Sequence, residues 1–285
     1  MKLLITGSRG QLGTELQRQA TCGITAVDVD ELDITKLDSV RSMIKKVAPD
    51  SIINCAAYTN VDKCETDKDA AFAVNALGAR NLAVAAGEFG AKLIHISTDY
   101  VFDGSGNEPR REWDLPNPES VYGYTKLVGE QYVRQFCPRS FIIRTAWLYG
   151  YAGANFVKTI LNAARSGKPL KVVNDQRGNP TSAVDLAKHL LKLAETEEFG
   201  IYHCTNNGEC SWYEFAAEFL KRSGLKYTIE PCTTEEFPRA AKRPAYSSLD
   251  NMMLRLTTGD EMRSWQDAIA EYMEHYNKDS GDFEL

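Results

Sequence analysis

Tyr122 and Lys126 stand four residues apart in Tyr122-Gly123-Tyr124-Thr125-Lys126, a spacing that puts a phenol and an ammonium on one face of a helix. A phenol with its ordinary pKa of about 10 is a poor proton donor or acceptor at neutral pH unless a nearby cation stabilises the phenolate. Lys126 is expected to supply that cation. A solvated helix pair has the same spacing, so position carries the argument: the pair follows a Pro116-Asn117-Pro118 loop after the fourth predicted strand, where a cleft at the sheet edge would lie. Ser97-Thr98-Asp99-Tyr100-Val101-Phe102-Asp103-Gly104 begins at the end of that strand and sets hydroxyls at its carboxyl end. A third polar participant is expected there. Asp99 equally suits a turn that caps the chain reversal.

A second chemical signal opens the chain. Lys2 to Thr6 reads as a strand, and Gly7-Ser8-Arg9-Gly10-Gln11-Leu12-Gly13 leads from it into a helix. Glycines there permit a tight turn and close backbone approach to a pyrophosphate, whose charge the free N–H groups and positive dipole end of the helix favour. The spacing G-x-x-G-x-x-G is one residue longer at its start than G-x-G-x-x-G. The flanking strand and helix, with Asp28 closing the next strand, therefore carry the reading of a dinucleotide site. Asp28 suits a ribose 2'-hydroxyl and Arg9 a 2'-phosphate. Both NADH and NADPH are expected to be usable, with a solvated loop charge the alternative for Arg9.

These groups need a scaffold. Lys2 to Thr6, Gly23 to Val27, Ser51 to Asn54, Lys92 to Ser97 and Ser140 to Arg144 read as strands. Between them, Gln11 to Gln19, Leu37 to Val47, Ala70 to Phe89 and Ser120 to Phe136 place apolar residues at three- and four-residue spacing. The alternation predicts an α/β fold with a doubly wound parallel sheet and ligands at the strands' carboxyl ends. Past about residue 148 the rhythm loosens. Asn155 to Ser166, Ser182 to Glu195 and Trp212 to Ser223 read as helices, Leu170 to Val173 and Gly200 to Cys204 as strands, and a last helix is predicted near Asp260 to Tyr276 before a polar tail. A smaller, discontinuous substrate domain is expected at about 150–169 and 205–285, with 1–149 and about 170–204 forming the larger one.

Of the 285 residues, 43% are hydrophobic and 25% charged, so the chain is long and apolar enough to bury a core. A net charge of -6 without a dense basic run argues against a nucleic-acid partner. No apolar stretch approaches the roughly 18 to 20 residues of a membrane span, and only Leu3-Leu4-Ile5 follow Met1-Lys2. A cytoplasmic protein without a membrane partner is expected. The seven cysteines are scattered with no Cys-x-x-Cys, which suits reduced, buried thiols.

Together these residues resemble the extended short-chain dehydrogenase/reductase family, and more closely its dTDP-4-dehydrorhamnose reductase branch. Asn54-Cys55-Ala56-Ala57-Tyr58-Thr59-Asn60-Val61-Asp62-Lys63-Cys64-Glu65 is similar to a strand-end loop of that branch, and Ser97 to Gly104 to its serine-threonine-aspartate-tyrosine signature. Arg144-Thr145-Ala146-Trp147-Leu148-Tyr149, Asp175-Gln176-Arg177-Gly178-Asn179-Pro180-Thr181 and Arg243-Pro244 with Ser247-Ser248-Leu249 look like further branch motifs, so the likeness spans nearly the whole chain.

The resemblance implies a Rossmann-type domain with a smaller C-terminal substrate domain. It implies NAD(P)H-dependent reduction of a dTDP-linked 4-keto-6-deoxyhexose, dTDP-4-dehydro-L-rhamnose, to dTDP-L-rhamnose, in cell-surface polysaccharide biosynthesis. By it Tyr122 is the proton donor, Lys126 a ribose ligand and pKa modifier, and Thr98 the partner of the sugar carbonyl. Asp99 and Trp147 adjoin the sugar, a core position being the alternative for Trp147. Gly7, Gly10, Gln11, Leu12, Gly13, Asp28, Asp33, Ile34, Ala57, Tyr58 and Thr59 meet the dinucleotide. Some relatives hold magnesium at a dimer interface through a glutamate of the first helix and an acidic pair after a proline-threonine motif. Glu15 and Asp185 match, but Val184 stands where the second acid would be, so no metal is expected, and homodimer and monomer stay open. An epimerase or dehydratase on the same scaffold, and the regulatory subunit of a methionine adenosyltransferase, are the alternatives. Retention of Tyr122, Lys126 and Thr98 favours reduction.

Overall fold

The computed structural model describes residues 1–278; the predicted polar tail lies outside the described residues from position 279 on. β1 (Lys2–Thr6) shows why its apolar run is unbroken. Side chains along a strand alternate between faces, and both faces here are covered. Leu3 and Ile5 enter one core with Leu12 and Leu16 of the Gln11–Gln19 helix and Leu186 and Leu190 of the Ala183–Ala194 helix. Leu4 enters a second core with Val40 and Ile44 of the Leu37–Val47 helix and Leu82 and Ala86 of the Ala79–Phe89 helix.

β2 (Gly23–Val27), β3 (Ser51–Asn54), β4 (Lys92–Thr98), β5 (Ser140–Thr145) and the Gly200–His203 strand complete the sheet. Its order is Gly200–His203, β5, β4, β3, β1, β2, all parallel. This is the expected α/β, Rossmann-type architecture. β4 and β5 each run one residue beyond their predicted ends. The chain reverses its winding between β1 and β3, which leaves a crevice above their carboxyl ends. There the two turns touch: Gly7 has φ +66, and a Cβ on it would lie 2.6 Å from the Ala56 nitrogen, so only glycine lets the turn after β1 rest on the turn after β3.

The helix predicted over Ala70 to Phe89 is not continuous. Lys68–Phe72 is α-helical, Ala73–Gly78 forms a π-turn, and the α-helix resumes at Ala79. The buried Asn75 in the π-turn accepts from the Tyr58 N–H (2.8 Å) and donates to the Tyr58 carbonyl (3.2 Å) and to Thr125 Oγ1 (3.1 Å). Three-dimensional hydrogen bonding, invisible to an apolar period, decides this segment. The last helix also begins later than predicted, at Trp265, where the Ser264 hydroxyl accepts from the Asp267 N–H (3.1 Å) and starts it.

A smaller body packs around Tyr149, Val157, Leu161, Phe215, Phe219, Trp265 and Tyr272. The strand near residue 170, grouped above with the larger domain, does not pair with the large sheet. Lys171–Val173 pairs with Glu230–Cys232 in a two-stranded sheet, and Val172 packs in the smaller core. The Ala183–Ala194 helix returns the chain to the larger body, because its Leu186, Leu190 and Leu193 lie in the core beneath β1. The Gly200–His203 strand joins the large sheet, beside β5. All seven cysteines are free, and no helix of the described residues is long and apolar enough to cross a membrane.

Candidate active site

The glycine-rich turn, the ends of β3 and β4 and the smaller body meet around a cleft of about 1010 Å³. Every residue assigned above to cofactor or sugar lines it except Arg9. A Cβ on Gly13 would fall 2.3 Å from the Gly7 carbonyl, so the Gln11–Gln19 helix presents its amino end close against the turn, as a pyrophosphate cradle needs. Among these residues Asp33 accepts from the Thr35 N–H (3.0 Å) and hydroxyl (2.6 Å). Ile34 is buried beside Gly78.

Arg9 lies outside the cleft lining. Its exposed guanidinium pairs with Asp30 at 2.7 Å and lies 3.6 Å from Asp28. Asp28 accepts from the Arg9 N–H (2.9 Å) and the Val29 N–H (2.8 Å). Partial burial works against ionisation of Asp28, but these N–H groups and the Arg9 guanidinium outweigh it and hold the carboxyl below its usual range. Removing the guanidinium in Arg9→Ala should weaken NADPH about tenfold relative to NADH if Arg9 leaves Asp30 for a 2'-phosphate. Equal losses in fluorescence titrations with the two nucleotides would take Arg9 off the 2' position.

β4 and the Val121–Phe136 helix place the reacting groups. Ser120 caps that helix by accepting from the Gly123 N–H (3.1 Å). The phenol of Tyr122 faces the cleft and packs edge-on against Tyr100, ring centroids 5.5 Å apart. Burial and the neighbouring Asp99 carboxylate push its pKa up, and hydrogen bonding from Thr98 pulls the other way. Lys126 Nζ donates to the Ile96 carbonyl (2.5 Å). Burial draws the amine down to about 8, and the charge of Glu130 works against that shift. Tyr122 and Lys126 both line the cleft, and a backbone carbonyl holds the amine, because a buried N–H donor must find an acceptor.

Asp99 opens the Asp99–Val101 turn but is not exposed there. It is 2% exposed, its Oδ1 accepts from Thr98 Oγ1 (2.8 Å), and its Oδ2 is buried without a hydrogen-bond partner. Burial raises its pKa to about 6. Trp147 is not a core residue. Its half-buried ring lies face to face on Trp212, centroids 3.5 Å apart and planes 6° apart, over Gly178, with φ +47, a conformation costly for a bulky side chain and found where structure serves a site.

Glu15 and Asp185 do not converge on each other's partners. Glu15 accepts from Arg18 and Gln19 (2.6 Å each), and Asp185 from Arg263 and Asn206 (2.8 and 2.6 Å).

Sequence reasoning missed four contributors. Trp212 and Phe156 extend the aromatic wall, with centroids 4.6 Å apart. Arg243, at the cleft edge, makes a two-pronged pair with Asp62 (2.9 and 3.0 Å). Glu130 lies one helical turn beyond Lys126 and receives Arg144 from β5 (2.8 and 3.0 Å) and Ser97 from β4 (2.5 Å). Its signal was present in the four-residue steps Tyr122, Lys126, Glu130; Trp212 carries none.

Residues 1–278 match the family model described as RmlD substrate binding domain. The chain is 51% identical to a dTDP-4-dehydrorhamnose reductase of Clostridium acetobutylicum of solved structure, TM-score 0.94, over 96% of this chain and 99% of that one. It is 42% identical to the dTDP-4-dehydrorhamnose reductase of Bacillus anthracis solved in complex with NADP, TM-score 0.94, over 96% and 98%. It is also 43% identical to the spore coat polysaccharide biosynthesis protein SpsK of Bacillus subtilis, over 96% and 97%. With the glycine-rich cradle and the Thr98, Tyr122 and Lys126 cleft, these likenesses carry one conclusion: the chain belongs to the family of the dTDP-4-dehydrorhamnose reductases, NAD(P)H-dependent oxidoreductases of Rossmann fold.

Proposed function

We propose that this chain reduces the 4-keto group of a dTDP-linked 4-keto-6-deoxyhexose, dTDP-4-dehydro-L-rhamnose, to dTDP-L-rhamnose. The observation that carries the reading is one cleft lined by the dinucleotide cradle at one end and by Thr98 and Tyr122 at the other. The residues fit a dinucleotide: the turn is closed to any Cβ at Gly7 and Gly13, and Asp28 stands ready for a ribose hydroxyl. A bound nicotinamide supplies hydride to the carbonyl carbon. Thr98 donates a hydrogen bond to the carbonyl oxygen, Tyr122 gives its phenolic proton to that oxygen as charge develops, and Lys126 holds the ribose. Arg243 offers a cation to the sugar's diphosphate once released from Asp62.

Trp147 and Trp212 form the wall against which the sugar rests. Trp147→Ala should lower kcat/KM for the keto sugar about tenfold. Because the ring is half-buried, its melting temperature should fall by less than the loss of about 3 to 5 kcal/mol that removal of a core tryptophan brings. Normal kinetics with a large drop in melting temperature would return Trp147 to a structural role. The direct test of the activity is oxidation of NADPH and NADH with dTDP-4-dehydro-L-rhamnose and identification of the product sugar. Net oxidation yielding dTDP-L-rhamnose supports reduction. Turnover without net oxidation would favour an epimerase, and co-purification with a synthetase in place of turnover a regulatory subunit.

A further inference from the structure

Gln11 belongs to the dinucleotide cradle, yet its side chain serves the smaller body. It is the first residue of the Gln11–Gln19 helix, which begins without a side-chain cap, so the N–H groups of its first turn have no partner within the helix. The loop 150–155, which leads into the Phe156–Arg165 helix, rests on Gln11 at three points. A Cβ on Gly150 would lie 3.5 Å from the Gln11 Cβ, and one on Gly153 would lie 3.7 Å from its Cγ. Asn155 makes the third contact: its Nδ2 donates to Gln11 Oε1 (3.1 Å) and to the Gly150 carbonyl (2.8 Å). Its Oδ1 accepts from the Lys158 N–H (3.0 Å) and caps the helix. Asn155 is 9% exposed and does not line the cleft. The next residue, Phe156, does line it, with its ring centroid 4.6 Å from that of Trp212, on which Trp147 is stacked. One carboxamide therefore connects the turn that suits a pyrophosphate to the aromatic wall of the sugar end.

We propose that Asn155 is a positioning residue that couples the two ends of the cleft, so that a dinucleotide in the cradle tightens binding of the sugar nucleotide. The inference rests on the reading above, with a dinucleotide at one end and a dTDP sugar at the other. A pyrophosphate at the amino end of the Gln11–Gln19 helix gives the N–H groups of the first turn their acceptors and fixes Gln11. With Gln11 fixed, the Asn155 carboxamide is held at both ends, and with it the start of the Phe156–Arg165 helix and the ring of Phe156. The second ligand then meets a wall that is already ordered, and loses less conformational entropy on binding. By linkage the effect is reciprocal, and the sugar nucleotide tightens the dinucleotide by the same factor. Asn155 touches neither ligand in this scheme and acts through Gln11 and Phe156.

Asn155→Ser separates coupling from architecture, because serine still caps a helix but is too short to reach Gln11. The probes are dTDP-L-rhamnose with NADPH or NADH, a pair that cannot react because both already carry the hydride. In calorimetric titrations wild type should bind dTDP-L-rhamnose about tenfold more tightly with saturating reduced cofactor than without it. Asn155→Ser should bind the sugar nucleotide alone as wild type does, and the gain on adding cofactor should vanish. An undiminished gain in the variant, or no gain in wild type, overturns the proposal. So does a weakening of dTDP-L-rhamnose by equal factors with and without cofactor, the mark of a merely structural role. Failure of wild type to bind the sugar nucleotide, or to bind either cofactor, would instead refute the reading of the cleft and the coupling with it. Hydrogen exchange on wild type keeps the proposal testable should Asn155→Ser not fold. Bound cofactor should slow exchange of the Lys158 amide, which Asn155 caps, about tenfold, and unchanged exchange there overturns the proposal.

Discussion

Tyr122→Phe is expected to lower kcat by about 10² to 10⁴, the usual worth of a positioned proton donor, and to leave cofactor affinity unchanged. The substitution removes one oxygen and keeps the ring's edge-on packing with Tyr100, so the cleft keeps its shape. Burial and Asp99 keep the phenol protonated, which suits a group that must enter the cycle carrying its proton. Stopped-flow measurement of NADPH oxidation, with cofactor binding titrated separately, checks the expectation. A loss below about tenfold in the chemical step would move proton donation elsewhere. Tyr124, next in sequence to be considered, is 57% exposed and does not line the cleft, so Thr98 would then be the group to examine.

Arg144→Met should cost about 3 to 5 kcal/mol of stability, the typical result of removing one partner from a buried ion pair. Arg144 is 2% exposed, and it meets Glu130, also 2% exposed, through two hydrogen bonds. Without the guanidinium the Glu130 carboxylate keeps only the Ser97 hydroxyl inside the protein. For a chain of this size the melting temperature should fall on the order of 10 °C. The double variant Glu130→Gln with Arg144→Met should recover part of that loss, since no carboxylate is then buried without its guanidinium. A loss in the double variant equal to the sum of the losses in Glu130→Gln and Arg144→Met alone would show the pair to be uncoupled. Because Glu130 sits on the helix that carries Tyr122 and Lys126, and Arg144 and Ser97 on β5 and β4, this pair fastens the reacting helix to the sheet.

Much of the fold was legible in one dimension. Runs such as Leu3-Leu4-Ile5 and Ser51-Ile52-Ile53-Asn54 are apolar throughout because helices cover both faces of the sheet, and a strand buried on both sides has no polar alternation to blur its limits. The π-turn at Ala73–Gly78 was not legible, since the contacts of Asn75 with Tyr58 and Thr125 that accompany it reach 17 and 50 residues along the chain. Nor was the place of Lys171–Val173, a three-residue strand that reads alike beside β5 or beside Glu230–Cys232. Its partner, not its propensity, assigns it.

The candidate site divides along the same line. The sequence alone determined which chemistry the chain carries: a glycine turn between strand and helix, an acid closing the next strand, and a phenol and an amine one helical turn apart. Each is a local pattern whose geometry the backbone imposes within a few residues. Only the tertiary structure decided the electrostatic state of these groups. It turned Arg9 to Asp30, hung Lys126 on the Ile96 carbonyl, enclosed Asp99 with one oxygen unpaired and laid Trp147 on Trp212. Desolvation and hydrogen bonding come from whatever the fold brings alongside, and the partners here are separated in the chain by as many as 65 residues, the span from Trp147 to Trp212.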